Sequence, residues 1–235
     1  MSLFQNRSQA GQLLGQSLKT FPGLRARRDI LVLGLPRGGV PVAFEVAKAL
    51  DAALDVVVVR KLGVPWHPEL AFGAIGPQGV QVIHEELRRD LSLSDKEIGE
   101  VVAAQNLELA RRMKAYRPSA EPLDCRGRVI VLVDDGIATG ATMEAAVKAV
   151  RLLGASMVVV AVPVAPKDAE VRLAALTDAV VCLHCPDGFT SVGEWYDHFE
   201  QTSDAEVTET LRQYRPVKIP PTATAGAAGT AHSAT

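Results

Sequence analysis

The run Val129-Ile-Val-Leu-Val133 is followed at once by Asp134-Asp135 and then by Gly136-Ile-Ala-Thr-Gly-Ala-Thr142. An apolar run rich in β-branched residues is typical of a parallel strand buried on both faces. Helical periodicity begins at Thr142, so the whole stretch predicts a strand, a turn and a helix. Ligands of open α/β sheets bind beyond the carboxyl ends of the strands. The two aspartates stand at that position.

The segment after the aspartates has the composition of a phosphate-binding loop. Its glycines permit a tight turn with inward-pointing N–H groups, and the hydroxyls of Thr139 and Thr142 add donors. The N-terminus of the helix that follows favours an anion. We therefore expect the loop to hold a phosphate group.

Two common phosphate motifs do not match this segment. A Walker A loop requires a lysine before its threonine, and no lysine precedes Thr142. A dinucleotide-binding motif has its acidic residue about twenty residues after the glycines, whereas the acidic pair here comes before them. Two carboxylates ahead of a phosphate loop suit a ligand with vicinal hydroxyls one sugar away from its phosphate, as in ribose 5-phosphate. The alternative is that Asp134 and Asp135 only cap the helix.

Outward from this stretch, short Val- and Ile-rich runs alternate with helical patterns, which predicts a doubly wound α/β fold with a mostly parallel sheet. The predicted strands cover residues 30–34, 54–59, 129–133, 157–162 and 179–183. The predicted helices cover residues 7–18, 40–50, 142–153 and 167–176. Helices should therefore flank the central sheet.

A long insert, residues 61–128, separates the second and third core strands. Its prolines and Trp-His pair predict a loop over residues 63–69, and Gly76-Pro77 predicts a small hairpin of residues 72–75 and 79–83. Ser94 and Glu97 form a capping-box pattern at the start of a helix over residues 94–116.

We expect a single domain over residues 1–215, with a core of about 29–183. The N-terminal helix and residues 184–215 would pack on this core and form a hood. Residues 216–235 are rich in Pro, Thr, Ala, Gly and Ser and predict a disordered tail.

The net charge of −2 provides no global field for nucleic acid or an anionic membrane. No run of eighteen apolar residues and no signal peptide is evident, so we expect a cytoplasmic protein without a membrane partner. Three cysteines indicate reduced thiols rather than a disulfide framework. Cys182-Leu-His-Cys185 is a CxxC, which leaves a redox pair or half of a zinc site as alternatives to two buried thiols.

The sequence VIVLVDDGIATGAT of residues 129–142 resembles the motif with which type I phosphoribosyltransferases bind 5-phosphoribosyl-1-pyrophosphate (PRPP). Gly34-Leu-Pro-Arg-Gly-Gly39 resembles the pyrophosphate loop of that family, and Arg60-Lys61 resembles its basic pair before a flexible catalytic loop. The spacing is most similar to a subgroup of unassigned phosphoribosyltransferases, whose start the opening Phe4-Gln-Asn-Arg7 also resembles.

The resemblance implies transfer of ribose 5-phosphate from PRPP to a nitrogenous base, with Mg²⁺ as cofactor and pyrophosphate as product. Asp134 and Asp135 would bind the ribose hydroxyls and Mg²⁺, and with Lys61 they are the predicted catalytic residues. Residues 63–69 would form a lid. The predicted PRPP ligands are Arg37, Gly38, Gly39, Arg60, Lys61, Asp134, Asp135, Gly136, Ile137, Ala138, Thr139, Gly140, Ala141 and Thr142.

The acceptor base is open. Oxopurine-using relatives carry an acidic residue at the position of Ala138, so an adenine-type or non-purine base is favoured. Phe189 is the predicted base-stacking residue among the aromatic residues after the core. A non-catalytic PRPP or nucleotide sensor on the same fold is the alternative function, and a homodimer is compatible with either.

Overall fold

The computed structural model describes residues 2–117 and 121–214, and the predicted tail lies outside them. The strands are β1 (Ile30–Gly34), β2 (Ala53–Val56), β3 (Arg60–Val64), β4 (His67–Ile75), β5 (Gln81–Ile83), β6 (Val129–Val133), β7 (Met157–Val164) and β8 (Ala179–His184). The helices are α1 (Arg7–Thr20), α2 (Gly39–Leu50), α3 (Glu85–Asp90), α4 (Asp95–Tyr116), α5 (Ala141–Leu152), α6 (Lys167–Ala174) and α7 (Asp204–Gln213). Short 3₁₀ turns span Pro22–Leu24, Pro77–Gly79 and Val192–Trp195.

Five strands form the predicted parallel sheet, in the order β2-β1-β6-β7-β8. Successive side chains of β6 alternate between two cores, because neighbouring residues of a strand point to opposite faces. Ile130 and Leu132 pack beneath α5 and α6, whereas Val129, Val131 and Val133 pack beneath α1 and α2. Both faces are therefore covered by helices, as the apolar runs predict.

The insert forms a second, antiparallel sheet of β3, β4 and β5. The predicted hairpin around Gly76-Pro77 is confirmed as β4 and β5. The predicted loop over residues 63–69 is wrong, because β3 and β4 pair through this segment and turn at Pro65-Trp66. Gly63 lies at the register shifts in this pairing, Pro65 lies in the turn, and Pro68 lies within β4.

The second core strand ends earlier than predicted. β2 stops at Val56, and Arg60 begins β3 in the other sheet. Val57 is buried in the core beneath α5 and α6, and Val58 is buried in the core of the second sheet, so an apolar run continues although the strand does not. Hydropathy alone cannot distinguish a buried strand from a buried segment outside a strand.

Helix α4 follows its predicted course. The Ser94 hydroxyl accepts a hydrogen bond from the N–H of Glu97, and the Glu97 carboxylate accepts one from the N–H of Ser94. Leu109 and Tyr116 bury one face of the helix against the second sheet.

Within the described residues, no helix is long and apolar enough to cross a membrane.

Replacement of Ser94 by alanine should lower the free energy of unfolding by about 1 kcal/mol, since the N–H groups at the start of α4 lose a side-chain partner. Urea denaturation measures this change. Ser94→Gly is the matched control and should cost only a few tenths of that amount. Equal losses in the two variants would show that the capping box does not stabilise α4.

Candidate active site

Asp134 and Asp135 lie at the carboxyl end of β6, the middle strand of the parallel sheet. The N–H of Asp135 donates to Asp134 Oδ1 at 2.9 Å. Oδ2 of Asp135 accepts a hydrogen bond from Arg7 Nε at 2.8 Å, within an ion pair whose two side chains are each 13% exposed. Two adjacent carboxylates are thus held at the sheet edge with one guanidinium.

The surroundings of the pair disfavour two negative charges. Burial raises the pKa of the Asp134 carboxyl well above its ordinary value, and the charge of Asp135 raises it further. Burial also raises the pKa of Asp135, whereas the Arg7 guanidinium acts to lower it. Buried carboxylates of this kind are stabilised by hydroxyl donors or by a cation.

The turn after β1 packs directly on the acidic pair. A Cβ atom at Gly38 would lie 2.0 Å from Asp135 Oδ2, and one at Gly39 would lie 2.8 Å from the Cα of Asp134. At Gly39 the obstructing atoms are backbone, so only glycine fits, whereas at Gly38 a larger residue would have to displace the Asp135 carboxylate. The predicted pyrophosphate turn therefore contacts the predicted ribose ligands.

The predicted phosphate loop is anchored in the core at one end and open at the other. Ile137 is buried, and its N–H donates to the carbonyl oxygen of Val164 at 2.9 Å. Gly140 caps α5 with a φ of +81°, which glycine adopts without steric cost. Thr139 and Thr142 are exposed beside the N-terminus of α5. This arrangement is suited to an anion.

Arg172 supports the loop from α6. Its Nη2 donates to the carbonyl oxygen of Thr139 at 2.7 Å, and its Nη1 pairs with Asp168 at 2.6 Å. The sequence interpretation did not include Arg172, because the contact joins residues 33 positions apart and follows no local pattern.

Arg60 and Lys61 begin β3 rather than following β2 as a loop. They line a cavity of about 520 Å³ together with Pro36 of the turn after β1 and Thr142 of the phosphate loop. The structure thus brings parts of all three predicted anion-binding segments around one cavity.

The Arg37 side chain extends from its turn toward α7. Its Nη1 is 3.8 Å from Oδ1 of Asp204, the first residue of that helix. The peptide bond between Pro36 and Arg37 is cis. Contact between Arg37 and pyrophosphate stays a prediction.

Residues 10–198 match the model of the phosphoribosyl transferase domain. The chain belongs to this family. It is 50% identical over 211 residues to two Mycobacterium tuberculosis proteins, from strains CDC 1551 and H37Rv, each named as a candidate phosphoribosyl transferase. That match covers 90% of the chain and 47% of each relative, so the chain spans about half the length of these relatives.

The fold is also similar to that of a solved structure. The protein TT1426 from Thermus thermophilus superposes with a TM-score of 0.79 at 43% identity, over 90% of this chain and 98% of that one. The type I phosphoribosyltransferase fold, with its parallel five-stranded sheet, is therefore confirmed.

In this phosphoribosyl transferase domain, two segments far apart in sequence cover the acidic pair. Phe4 bridges to Tyr196, and the Tyr196 hydroxyl donates to the backbone oxygen of Asp135. The Arg7 guanidinium lies 3.9 Å from the centre of the Phe199 ring and donates to the carbonyl oxygen of Glu200 at 2.7 Å. These contacts assemble a small hood over the end of β6.

Arg7 is a second site residue that sequence reasoning missed, after Arg172. Its signal was the opening Phe4-Gln-Asn-Arg7, which resembled the start of one subgroup but suggested no role. Arg7 is the first residue of α1, 128 positions from Asp135. Only the fold makes the pair visible.

Phe189 lies in the hood and stacks on Trp195 with ring centres 6.2 Å apart. It is half-buried and packs at the margin of the cluster that contains Phe4 and Tyr196. Tyr196, another aromatic residue of the hood, is buried. Base stacking by Phe189 is untested by these contacts and stays a prediction.

The structure opposes a redox role for the CxxC pair. Cys182 Sγ donates to the carbonyl oxygen of His184, and Cys185 Sγ donates to the Glu170 carboxylate. Burial raises the pKa of both thiols, so the reactive thiolate is disfavoured. Among the described residues, no cluster of three or more His, Cys, Asp or Glu could hold a metal ion, so the zinc alternative has no ligand set there.

Substitution of Gly38 by alanine should weaken PRPP binding by about tenfold or more, or ~1.4 kcal/mol, because the new Cβ displaces the Asp135 carboxylate. Calorimetric titration with PRPP and Mg²⁺ measures the change. Gly99→Ala in α4 is the control, since a Cβ there meets no atom within 4 Å. Unchanged binding in Gly38→Ala would contradict the role assigned to this contact.

Asp134→Asn should stabilise the fold at neutral pH and weaken PRPP binding. Between the ordinary pKa of aspartate and the raised pKa of folded Asp134, the folded protein holds a proton that the unfolded chain has released. Stability therefore falls as pH rises from the ordinary pKa through the folded pKa. Asparagine removes this loss, and its advantage should vanish below the ordinary pKa of aspartate.

Urea denaturation from about pH 3.5 to about pH 8, which brackets the ordinary pKa of aspartate and neutrality, tests this expectation. Asp135→Asn is the comparison variant and should gain less, because it leaves Arg7 without its carboxylate partner. A stability difference between wild type and Asp134→Asn that is independent of pH would contradict the assignment.

Proposed function

We propose that this protein transfers the 5-phosphoribosyl group of PRPP to a nitrogenous base and releases pyrophosphate. One observation carries the proposal: the acidic pair is in contact with the glycine turn after β1 and directly precedes the phosphate loop. Sugar-hydroxyl ligands thereby stand between two anion-binding turns. PRPP has this layout, with a phosphate at one end of the ribose and a pyrophosphate at the other.

Each part of the site has a defined task in this reaction. Asp134 and Asp135 accept hydrogen bonds from the ribose hydroxyls, and their charge stabilises the positive charge that develops on the sugar as the bond to pyrophosphate breaks. Thr139, Thr142 and the backbone N–H groups of the loop hold the 5-phosphate.

The acidic pair also fits Mg²⁺. The described residues form no complete cage of protein ligands, and Mg²⁺ commonly takes one or two carboxylates with substrate oxygens and water as the rest. Asp134 and Asp135 would hold it, directly or through water. When bound, Mg²⁺ neutralises charge on the pyrophosphate leaving group.

Arg37, Arg60 and Lys61 bind the departing pyrophosphate through charge-assisted hydrogen bonds. Lys61 belongs to the β3–β4 hairpin, which also lines the cavity through Gly63 and Val64 of β3 and Pro65 of the turn. The tip residue Trp66 is 58% exposed. Closure of this hairpin would exclude water, which PRPP transfer requires to avoid hydrolysis.

For the acceptor, Ala138 and Phe189 favour an adenine-type or non-purine base. Ala138 is exposed on the loop and offers no carboxylate to take a proton from an oxopurine. Phe189 in the hood supplies an aromatic face for stacking. Residues 1–215 act as one phosphoribosyltransferase domain in this proposal.

The test is release of pyrophosphate from PRPP with Mg²⁺ and a panel of bases, for the wild type and for the Asp134→Asn and Asp135→Asn variants. We expect base-dependent release by the wild type and a loss of at least about a hundredfold in each variant, equivalent to ~2.7 kcal/mol.

PRPP or nucleotide binding without base-dependent release would contradict the enzyme and favour a sensor on the same fold. Normal PRPP binding by the doubly substituted protein would show that the carboxylates do not hold the ribose.

A further inference from the structure

Helix α4 of the insert forms one wall of the cavity beside the predicted pyrophosphate residues. Val101, Gln105 and Arg112 line this cavity together with Arg60 and Pro36. Their spacing of four and seven positions places them on one helical face. The same helix buries Leu109 and Tyr116 on the second sheet, so the wall is held in a fixed position.

Gln105 positions one of the predicted pyrophosphate ligands. Its Oε1 accepts a hydrogen bond from Arg60 Nε at 2.9 Å, and the Arg60 side chain is half-buried. Burial and the nearby charge of Arg112 lower the pKa of Arg60, while Glu108 acts in the opposite direction. The two guanidinium groups line the same cavity and are close enough to repel each other.

The carboxylates of this region are shared between arginines. Glu108 accepts hydrogen bonds from Arg111 Nε at 2.8 Å and from Arg112 Nε at 2.7 Å. Asp204 lies 3.8 Å from Arg37 and 3.9 Å from Arg111. Among the described residues, Arg60 and Arg112 line the cavity, whereas Arg111, which shares Glu108 with Arg112, does not. The two lining guanidinium groups carry more positive charge than the shared carboxylate offsets, and like charges held together favour a bound anion.

We propose that α4 supplies a third wall of the pyrophosphate site, on which Arg112, with Arg60 held by Gln105, binds the pyrophosphate group of PRPP. The inference rests on the proposed function. The cavity of about 520 Å³ adjoins both the turn after β1 and Thr142 of the phosphate loop. Its volume lies in the range of small-molecule sites. A pyrophosphate group carries enough negative charge to offset the two arginines that line the cavity.

The experiment compares Arg112→Ala with Arg111→Ala by calorimetric titration. Arg111 is the matched control, since it is the neighbouring residue and shares Glu108 but does not line the cavity. The ligands are PRPP, pyrophosphate and ribose 5-phosphate, each with Mg²⁺. Circular dichroism verifies folding, and Arg112→Gln, which keeps a polar side chain, replaces Arg112→Ala if the latter does not fold.

We expect Arg112→Ala to weaken PRPP and pyrophosphate binding by about tenfold or more, as the loss of a charged hydrogen-bond donor does. Ribose 5-phosphate, which lacks the pyrophosphate group, should bind as it does to the wild type. Arg111→Ala should change each affinity by less than about threefold, because its side chain is exposed. Gln105→Ala should weaken pyrophosphate binding less than Arg112→Ala, because Arg60 keeps its charge.

Other outcomes separate this inference from the proposed function. Wild-type binding of PRPP with unchanged pyrophosphate affinity in Arg112→Ala would overturn the role of α4 and leave the function standing. Equal losses for pyrophosphate and ribose 5-phosphate would also overturn it, since they would indicate a general structural effect. A wild type that binds neither PRPP nor pyrophosphate would remove the proposed function itself.

Discussion

β1 and β6 are paired in parallel register from Ile30 opposite Val129 to Gly34 opposite Val133. Because both strands end at the same level, the segments that leave them must share a space about one strand spacing wide, ~4.8 Å. Gly38 and Gly39 make this possible by bringing backbone alone against the two aspartates. The phosphate loop continues directly from the two aspartates, and the hood covers them through Arg7 and Tyr196.

The acidic pair lowers the stability of the fold, and its ion pair with Arg7 offsets part of this cost. Two adjacent carboxylates are half-buried where desolvation raises the pKa of both, and Arg7 offsets this effect more for Asp135 than for Asp134. The hood holds Arg7 by an aromatic ring and a backbone oxygen, so the guanidinium cannot rotate freely toward solvent. The site is pre-formed, and a ligand with hydroxyls and a cation would supply the hydrogen-bond donors and positive charge that its two carboxylates lack.

Local pattern predicted the core and the glycine loops, because hydrophobic period and turn chemistry act over a few residues. Both β1 and β6 have the predicted bounds. The predicted loop at 63–69 failed because an antiparallel partner absorbed residues that usually interrupt a strand. Arg7 could not be predicted from local sequence, since it reaches Asp135 only through packing between distant elements. Arg112 has a local partner in Glu108, but its place beside Arg60 in the cavity likewise depends on how α4 packs.

The hood has a practical consequence for how this domain is delimited. The family match begins at residue 10, after both Phe4 and Arg7. A protein trimmed to that boundary would keep the sheet and the three anion-binding segments, yet it would lack the counter-ion of Asp135 and the residue that bridges to Tyr196. The region that matches the family therefore begins after residues that the electrostatic environment of the acidic pair requires.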